Sequence, residues 1–382
     1  MTTPVCYQTE ACDDGVRRLH LLPASEGNPR NSEGDFVELR DGRILFVYTR
    51  YRGGQGDHDP ADLMGRFSSD RGISWSGEDC PVVPNHAGLN VMSVSLLQLI
   101  DGRIALFYLR KDSTADCRPV VRFSDDEAAS WSEPVDIVSD ADVGYYILNN
   151  SRVIQIDDGQ LICPLAHHSG AAELGNDSWQ KHGSYADILC YHSDDGGHTW
   201  QRGEIAPEAA RSDGGAVRLQ EPGVEVLADG RLLLWCRTDD RCQYVAHSSD
   251  RGQSFTRLQS SNIVSPNRSC AAIRRIPSTG DLLLIWNDHS GVPDEHHSRR
   301  SPLTTAISRD EGQTWQHRRV LEDDPNGWYC YTAVRFVGDH VLLSYCAGDR
   351  REGNGLHETR LARLPVHWLY GPSQEEHPDF GK

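Results

Sequence analysis

The sequence predicts an all-β fold, a single six-bladed β-propeller of four-stranded antiparallel blades with almost no helix, spanning residues 1–382. Two repeats point to it. The first is a hairpin in which an Asp-Gly or Gly-Asp turn precedes an apolar strand. It occurs at Asp41-Gly42 before RILFVYTR, Asp101-Gly102 before RIALFYLR, Asp158-Gly159 before QLICPLAH, Asp229-Gly230 before RLLLWCR, Gly280-Asp281 before LLLIWND and Gly338-Asp339 before HVLLSYCA. Such dipeptides between apolar runs are hairpin signals. The second repeat, Ser-x-Asp-x-Gly-x-Ser/Thr-Trp/Phe, follows five of these hairpins: SSDRGISW at 68–75, SDDEAASW at 124–131, SDDGGHTW at 193–200, SSDRGQSF at 248–255 and SRDEGQTW at 308–315. Its aspartates, Asp70, Asp126, Asp195, Asp250 and Asp310, lie 56, 69, 55 and 60 residues apart. That period accommodates a blade of several short strands and is too long for a helical solenoid unit.

In the second repeat, Asp and Ser have the backbone amides of a tight turn within reach, Gly supplies a positive φ, and the aromatic residue packs under the blade. Its carboxylates therefore read as structural. Blade one starts with NPRNSEGDFVEL (28–39), turns at 41–42, and continues through a loop that carries Asp57, His58, Asp59 and Asp62. The later blades open with NVMSVSLLQL (90–99), YYILNNSRVIQI (145–156), the stretch from Gln220, SCAAIRRI (269–276) and YCYTAVRF (329–336). The sixth blade lacks the second repeat, so its outer strands are expected from 358–370 and from VRRLHLLP near the N-terminus, which would close the ring. Loops at 168–186 and 289–300 read as insertions on the rim. Eight residues before the Asp of each Asp-Gly turn stand Glu33, Ser93, Asn150 and Glu221. The innermost strands of a propeller line its central channel, so this register sets polar groups around one mouth.

Composition excludes several functions. A net charge of −18 argues against a nucleic-acid partner and an anionic membrane surface, and no apolar run approaches the roughly 20 residues of a membrane span. The first residues, MTTPVCYQTEACDDG, show neither a basic n-region nor an apolar h-region, and the expected compartment is cytoplasmic. Eleven cysteines, an odd and scattered set with Cys163, Cys190, Cys236 and Cys346 inside strands, read as buried thiols and not as a disulfide framework.

The stretch QEPGVEVLADGRLLLWCRT (220–238) puts Glu221 and Arg237 near the open end of one hairpin, where they are neighbours. Together with the repeats, it resembles the sialidase superfamily of six-bladed propellers, known for its Asp-box repeats, and the resemblance spans nearly the whole chain. It implies a retaining exo-α-glycosidase acting on a terminal acidic sugar, with a carbohydrate partner and no cofactor or metal. In the bacterial enzymes a catalytic Glu begins the fourth-blade hairpin and an arginine that binds the substrate carboxylate ends it, as Glu221 and Arg237 do. Another such arginine stands ten residues before the fifth box, the position of Arg300 before Asp310. The nucleophilic tyrosine starts the last inner strand, where Tyr331 fits and Tyr329 is its neighbour. The acid/base aspartate belongs to the loop GDHDPAD, as Asp57 or Asp59. A sialic acid carries a carboxylate on its anomeric carbon and would repel a carboxylate nucleophile; a tyrosine activated by Glu avoids the conflict. Arginine forks would bind that carboxylate bidentately.

One position departs from the pattern. The family's first carboxylate-binding arginine would fall at Ser32, but this chain reads PRNSEGD, with Arg30 two residues earlier and Glu33 one later. Either Arg30 reaches in through a bulge, or the substrate differs from an ordinary sialoside. Glu33, His58 and Asn150 join the expected substrate-facing set from their places at the mouth, although His58, Asn150, His167 and His168 have no standard place in a sialidase site. A metal site from His58, Asp59 and His167 lacks ligand spacing. Two other readings stay open: a hydrolase or lyase acting on a different acidic or deoxy sugar, and a propeller that binds glycan without cleaving it.

Overall fold

The computed structural model describes residues 9–11, 15–168, 185–207, 209–211, 214–353 and 355–374. Each expected hairpin forms, and each extends outward by antiparallel pairing into a blade. Blade one is Asn31–Glu38, Ile44–Tyr51, Ala61–Ser68 and Cys80–Val83, from the axis outward. Blades two, four and five repeat the order with inner strands Asn90–Gln98, Gln220–Val226 and Ala272–Arg275. In blade six Gly327–Val337, His340–Asp349 and Glu358–Pro365 are completed by Arg17–Leu22, so the N-terminal strand closes the ring, with Thr9–Ala11 added outside it. Helix is confined to four short 3₁₀ turns among the described residues, none long or apolar enough to cross a membrane. The loop expected as a rim insertion at 168–186 lies almost wholly outside the described residues.

Apolar residues of neighbouring blades pack face to face, and the core divides into wedges, one at each blade–blade contact. Phe46, Tyr48 and Trp75 of blade one, for example, meet Leu342 and Leu361 of blade six and Leu19 and Leu21 of the closing strand. The box turns form as expected. Ser68 Oγ accepts from Gly72 N (2.8 Å), and Asp70 accepts from Ser74 N (2.8 Å) and Ser74 Oγ (2.6 Å). Each box holds two successive left-handed residues. In the second box, which has no glycine, Glu127 (φ 59°) and Ala128 (φ 64°) adopt that conformation.

The inner strands carry the feature that builds the site. Strand pairing is interrupted between Ser32 and Asp35, Met92 and Ser95, Gln220 and Gly223, and Cys330 and Ala333. Within these bulges Glu33 (φ 54°), Ser93 (60°), Glu221 (51°) and Tyr331 (56°) are left-handed. A bulge leaves one residue out of the ladder and re-aims its side chain, here toward one mouth of the channel. Blade three departs from the expected continuous strand over 145–156. Only Tyr146–Ile147 and Ile154–Gln155 pair, because the chain between them turns into the axis. There Ser151 N donates to Val94 O (3.0 Å) and Arg152 N to Ser95 Oγ (2.8 Å), while Asn150 Nδ2 donates to Gly34 O and Tyr331 O (both 2.9 Å), joining blade three to blades one and six.

Candidate active site

The fourth-blade hairpin aligns Gln220 with Arg237 across the pair. Gln220 Oε1 accepts from Arg237 Nε (3.1 Å) and Nη2 (2.7 Å), which fixes the guanidinium and leaves Nη1 facing inward. That nitrogen lies 2.7 Å from Glu221 Oε2 and 3.4 Å from the Tyr331 hydroxyl. Tyr331, aimed inward by its own bulge, donates to Glu221 Oε1 at 3.1 Å. Burial pushes the Tyr331 hydroxyl well above its ordinary pKa and Glu221 adds to the rise, against the pull of Arg237 and Arg300; the phenol therefore keeps its proton, with a carboxylate placed to accept it. Arg300 Nη2 donates to Arg268 O (2.6 Å), and its guanidinium lies 4.8 Å from the centre of the Trp328 ring and 5.7 Å from that of Tyr331. Burial disfavours the charges of Arg237 and Arg300, yet their surroundings, Glu221 and Tyr331 among them, hold both pKa values above the usual one.

Blade one supplies a second group of charges. Arg30, 1 % exposed, donates through Nη1 to Asp57 Oδ1 (2.6 Å) and Gln55 O (3.0 Å) and through Nε to Ser32 Oγ (3.2 Å). Its Nη2 lies 3.8 Å from Glu33 Oε1. Burial raises the Glu33 carboxyl to about 7, with Arg30 opposing and Asp57 and Glu221 adding to the rise. Asp57 behaves oppositely. Partial desolvation at the mouth would raise it, but Arg30 and Lys111 outweigh that and hold it below its ordinary value, although 62 % of its side chain is open to solvent. Lys111 Nζ donates to Asp57 O (2.7 Å), and Asn90 Nδ2 donates to the carbonyls of Asp57 (3.0 Å) and Asp59 (2.8 Å), so blade two clamps the loop.

The structure thus brings Glu221, Arg237, Arg300 and Tyr331 into one cluster and Arg30, Glu33 and Asp57 into a second. Other candidates are placed elsewhere. Asp59 Oδ2 accepts from Gly56 N (2.7 Å) and stabilises its own loop. Tyr329, 2 % exposed, packs in the blade-six core against Tyr345. His58 Nε2 is 3.5 Å from Tyr145 Oη at the edge of the loop, and the Asn150 amide is used between blades. The blade-one position that matches Glu221 and Tyr331 is Glu33, as the register counted from the Asp-Gly turn expects, and the neighbouring Ser32 Oγ accepts from Arg30. His167 stacks on Tyr146 with centroids 4.3 Å apart, and among the described residues no group of three or more His, Cys, Asp or Glu is arranged for a metal ion. Gln220, Lys111, Asn90 and Trp328 escape sequence reading. They act through cross-strand register and loop contacts that no local motif encodes. All nine described cysteines are free, and Cys270, Cys330 and Cys346 pack together beneath Tyr331.

Fold and geometry together define a six-bladed propeller whose channel mouth carries a tyrosine–glutamate pair flanked by two arginines. A family model described as a BNR repeat-like domain matches residues 84–342, more than half of the chain. The chain belongs to that family, within the sialidase superfamily of six-bladed propellers. It is similar to a sialidase of Micromonospora viridifaciens (26 % identical over 376 residues, 91 % of this chain and 53 % of the relative). It is also similar to an anhydrosialidase of Macrobdella decora (25 % over 377 residues, 88 % and 46 %). The chain spans about half the length of these curated relatives. Among solved structures it resembles a protein of unknown function from Dyadobacter fermentans (TM-score 0.70, 17 % identity, covering 92 % of this chain and 99 % of that one). A Hadza microbial sialidase is similar in fold as well (TM-score 0.68, 18 % identity, 90 % and 67 %).

Proposed function

We propose that the protein is a glycoside hydrolase of sialidase type that removes a terminal acidic sugar with retention at the anomeric carbon. The observation that carries this reading is the 3.1 Å hydrogen bond from the Tyr331 hydroxyl to Glu221. As the phenol attacks the anomeric carbon, Glu221 takes its proton, and Arg237 at 2.7 Å stabilises the carboxylate beforehand. Arg237 and Arg300 hold the substrate carboxylate. Asp57, in the exposed loop, delivers a proton to the leaving oxygen and then activates water; Arg30 and Lys111, by favouring its anion, suit the second task more than the first. A glycan-binding propeller without activity has no use for a buried tyrosine aligned on a carboxylate, and the related names support the hydrolytic reading.

One feature favours a substrate other than an ordinary sialoside: the family resemblance implies an arginine at position 32, and this chain has Ser32 there with the Glu33 carboxylate beside it. The test is hydrolysis of a fluorogenic sialoside beside a panel of other acidic and deoxy-sugar aryl glycosides. Tyr331→Phe is expected to lower kcat by at least about a thousandfold with little change in substrate binding. Full turnover by that variant would refute the tyrosine mechanism, and the panel identifies the sugar.

A further inference from the structure

Three thiols that the reaction does not use lie beneath Tyr331. Cys330, on Gly327–Val337, and Cys346, on His340–Asp349, stand directly opposite each other across the antiparallel pair, and among the nine described cysteines only these two face each other in this way. Opposed residues in such a pair hold their Cα atoms about 4.5 or 5.5 Å apart with both side chains on one face, and either separation lies within the roughly 4.4–6.8 Å that a disulfide spans. The Cys346 thiol donates to the Cys330 sulfur, and the Glu33 N–H donates to Cys346 Sγ at 3.4 Å. The Arg300 guanidinium also hydrogen-bonds the Cys330 sulfur. Burial resists ionisation of Cys330, yet Cys346 and Arg300 together hold its pKa below the ordinary thiol value, whereas burial pushes Cys346 and Cys270 above it. Cys330 is thus the thiolate of the group and Cys346 its protonated neighbour, which are the parts of an attacking and a resolving thiol.

We propose that Cys330 and Cys346 are a modification site, at which hydrogen peroxide forms a reversible cross-strand disulfide that stops the neighbouring tyrosine–glutamate pair. The Cys330 thiolate attacks one peroxide oxygen, the O–O bond breaks, and hydroxide leaves behind a sulfenic acid. The Cys346 thiol then attacks the Cys330 sulfur and displaces its oxygen as water. Two electrons pass from the sulfurs to the peroxide, so that two thiols and one peroxide become one disulfide and two waters. Cys330 is 2 % exposed and Cys346 1 %, which suits an oxidant close to water in size. Facing Cβ atoms of an unlinked pair lie about 4.5–5.5 Å apart, and a disulfide closes them to roughly 3.5–4.5 Å. The link therefore draws the strands together at Cys330, where the bulge that aims Tyr331 begins, and it removes the thiolate from Arg300. A misplacement of about 1 Å costs on the order of a hundredfold in rate. The disulfide does not depend on which substrate the site takes; its effect on turnover rests on the reading that Tyr331 and Glu221 perform the hydrolysis.

The test is peptide mapping by mass spectrometry of the full chain after exposure to hydrogen peroxide, with and without later dithiothreitol. The parent protein is expected to lose two free thiols and to yield one cross-linked pair of peptides, carrying Cys330 and Cys346, that dithiothreitol separates. Over the same exposure, turnover of the substrate selected by the glycoside panel is expected to fall at least about tenfold and to recover as the thiols do. Cys346→Ser is expected to keep the basal turnover of the parent, to form no cross-link, and to accumulate a dimedone-reactive sulfenic acid at Cys330. Cys270→Ser is expected to cross-link as the parent does. Thiols that stay reduced, oxidation that stops at single cysteines in the parent, or a cross-link through Cys270 or any other cysteine overturns the proposal. So does a Cys330–Cys346 cross-link that leaves turnover unchanged. If no glycoside in the panel turns over, the hydrolase reading falls, while the mapping still upholds or overturns the disulfide.

Discussion

Two residues in this chain stand in environments that their side chains resist. Ala128 occupies the box position that glycine holds in the other four repeats, at φ 64°. A methyl group in the left-handed region costs about 1 kcal/mol or more, partly offset by the lower entropy of the unfolded chain. Ala128→Gly is therefore expected to raise stability by roughly 0.5 kcal/mol, read as a higher urea midpoint with unchanged slope. Glu33 is the second. With its carboxyl raised to about 7 by burial, the folded state keeps a proton that the unfolded chain releases near its ordinary value. The unfolded state then binds fewer protons than the native state between about pH 4.5 and 7, so stability falls as pH rises through that window. Glu33→Gln removes the titration, and its urea midpoint is expected to stay flatter than that of the parent across the same range. A parallel decline in both proteins would place the titrating group elsewhere.

At the scale of strands, the inner-strand bulge is the device that converts a repeat into a site. The same interruption occurs in blades one, two, four and six, and what it presents is Glu33, Ser93, Glu221 or Tyr331 according to the blade. Glycines beside the bulges make room for large aromatics of the second strand. Gly34 lies against Phe46, and Gly223 lies against Trp235 so closely that an added Cβ would fall inside the ring's contact distance. Gly223→Ala is expected to destabilise the protein by about 1–3 kcal/mol through overpacking and to lower activity more than stability alone accounts for, since Glu221 sits two residues away. Unchanged kcat in that variant would show that the bulge tolerates a shift and does not set the alignment of Glu221. The hairpins were legible because Asp-Gly turns and apolar runs are local signals. Their bulges were not, because an unpaired residue in a strand shows itself only against the partner strand.

The whole molecule is a ring, and its closure depends on a strand distant in sequence from the blade it completes. Arg17–Leu22 pairs with Glu358–Pro365 and buries Leu19, Leu21 and Leu22, each at most 3 % exposed. At roughly 1.5–3 kcal/mol for each buried leucine, deletion of residues 15–24 is expected to cost at least about 5 kcal/mol. It would also leave an unpaired edge that promotes association, visible as a lower thermal midpoint and larger species in size-exclusion chromatography. A monomer of parental stability would show that the ring holds without this strand. Inter-blade ties act in the same sense: the Asn150 amide reaches blades one and six together, and the Arg335 guanidinium donates to Phe36 O at 2.8 Å.

The sequence by itself determined the number of blades, their turns, the box structure, the closing strand and the tyrosine, glutamate and arginine of the Tyr331–Glu221–Arg237 cluster. The blades, turns, boxes and closing strand follow from periodicity and turn chemistry, which are properties of short stretches and of their repetition; the three site residues follow from the family resemblance that those motifs carry. Only the tertiary structure decided the remainder. It set Asp57 and not Asp59 against Arg30, because Gly56 N takes the Asp59 carboxylate. It buried Tyr329 and aimed Tyr331 at the mouth, because alternation alone would set two residues that are two apart on one face and the bulge at Tyr331 separates them. It tied the Arg30 guanidinium to Asp57, Gln55 O and Ser32 Oγ. These outcomes depend on which groups from distant blades compete for one partner, and that competition exists only when the ring has closed.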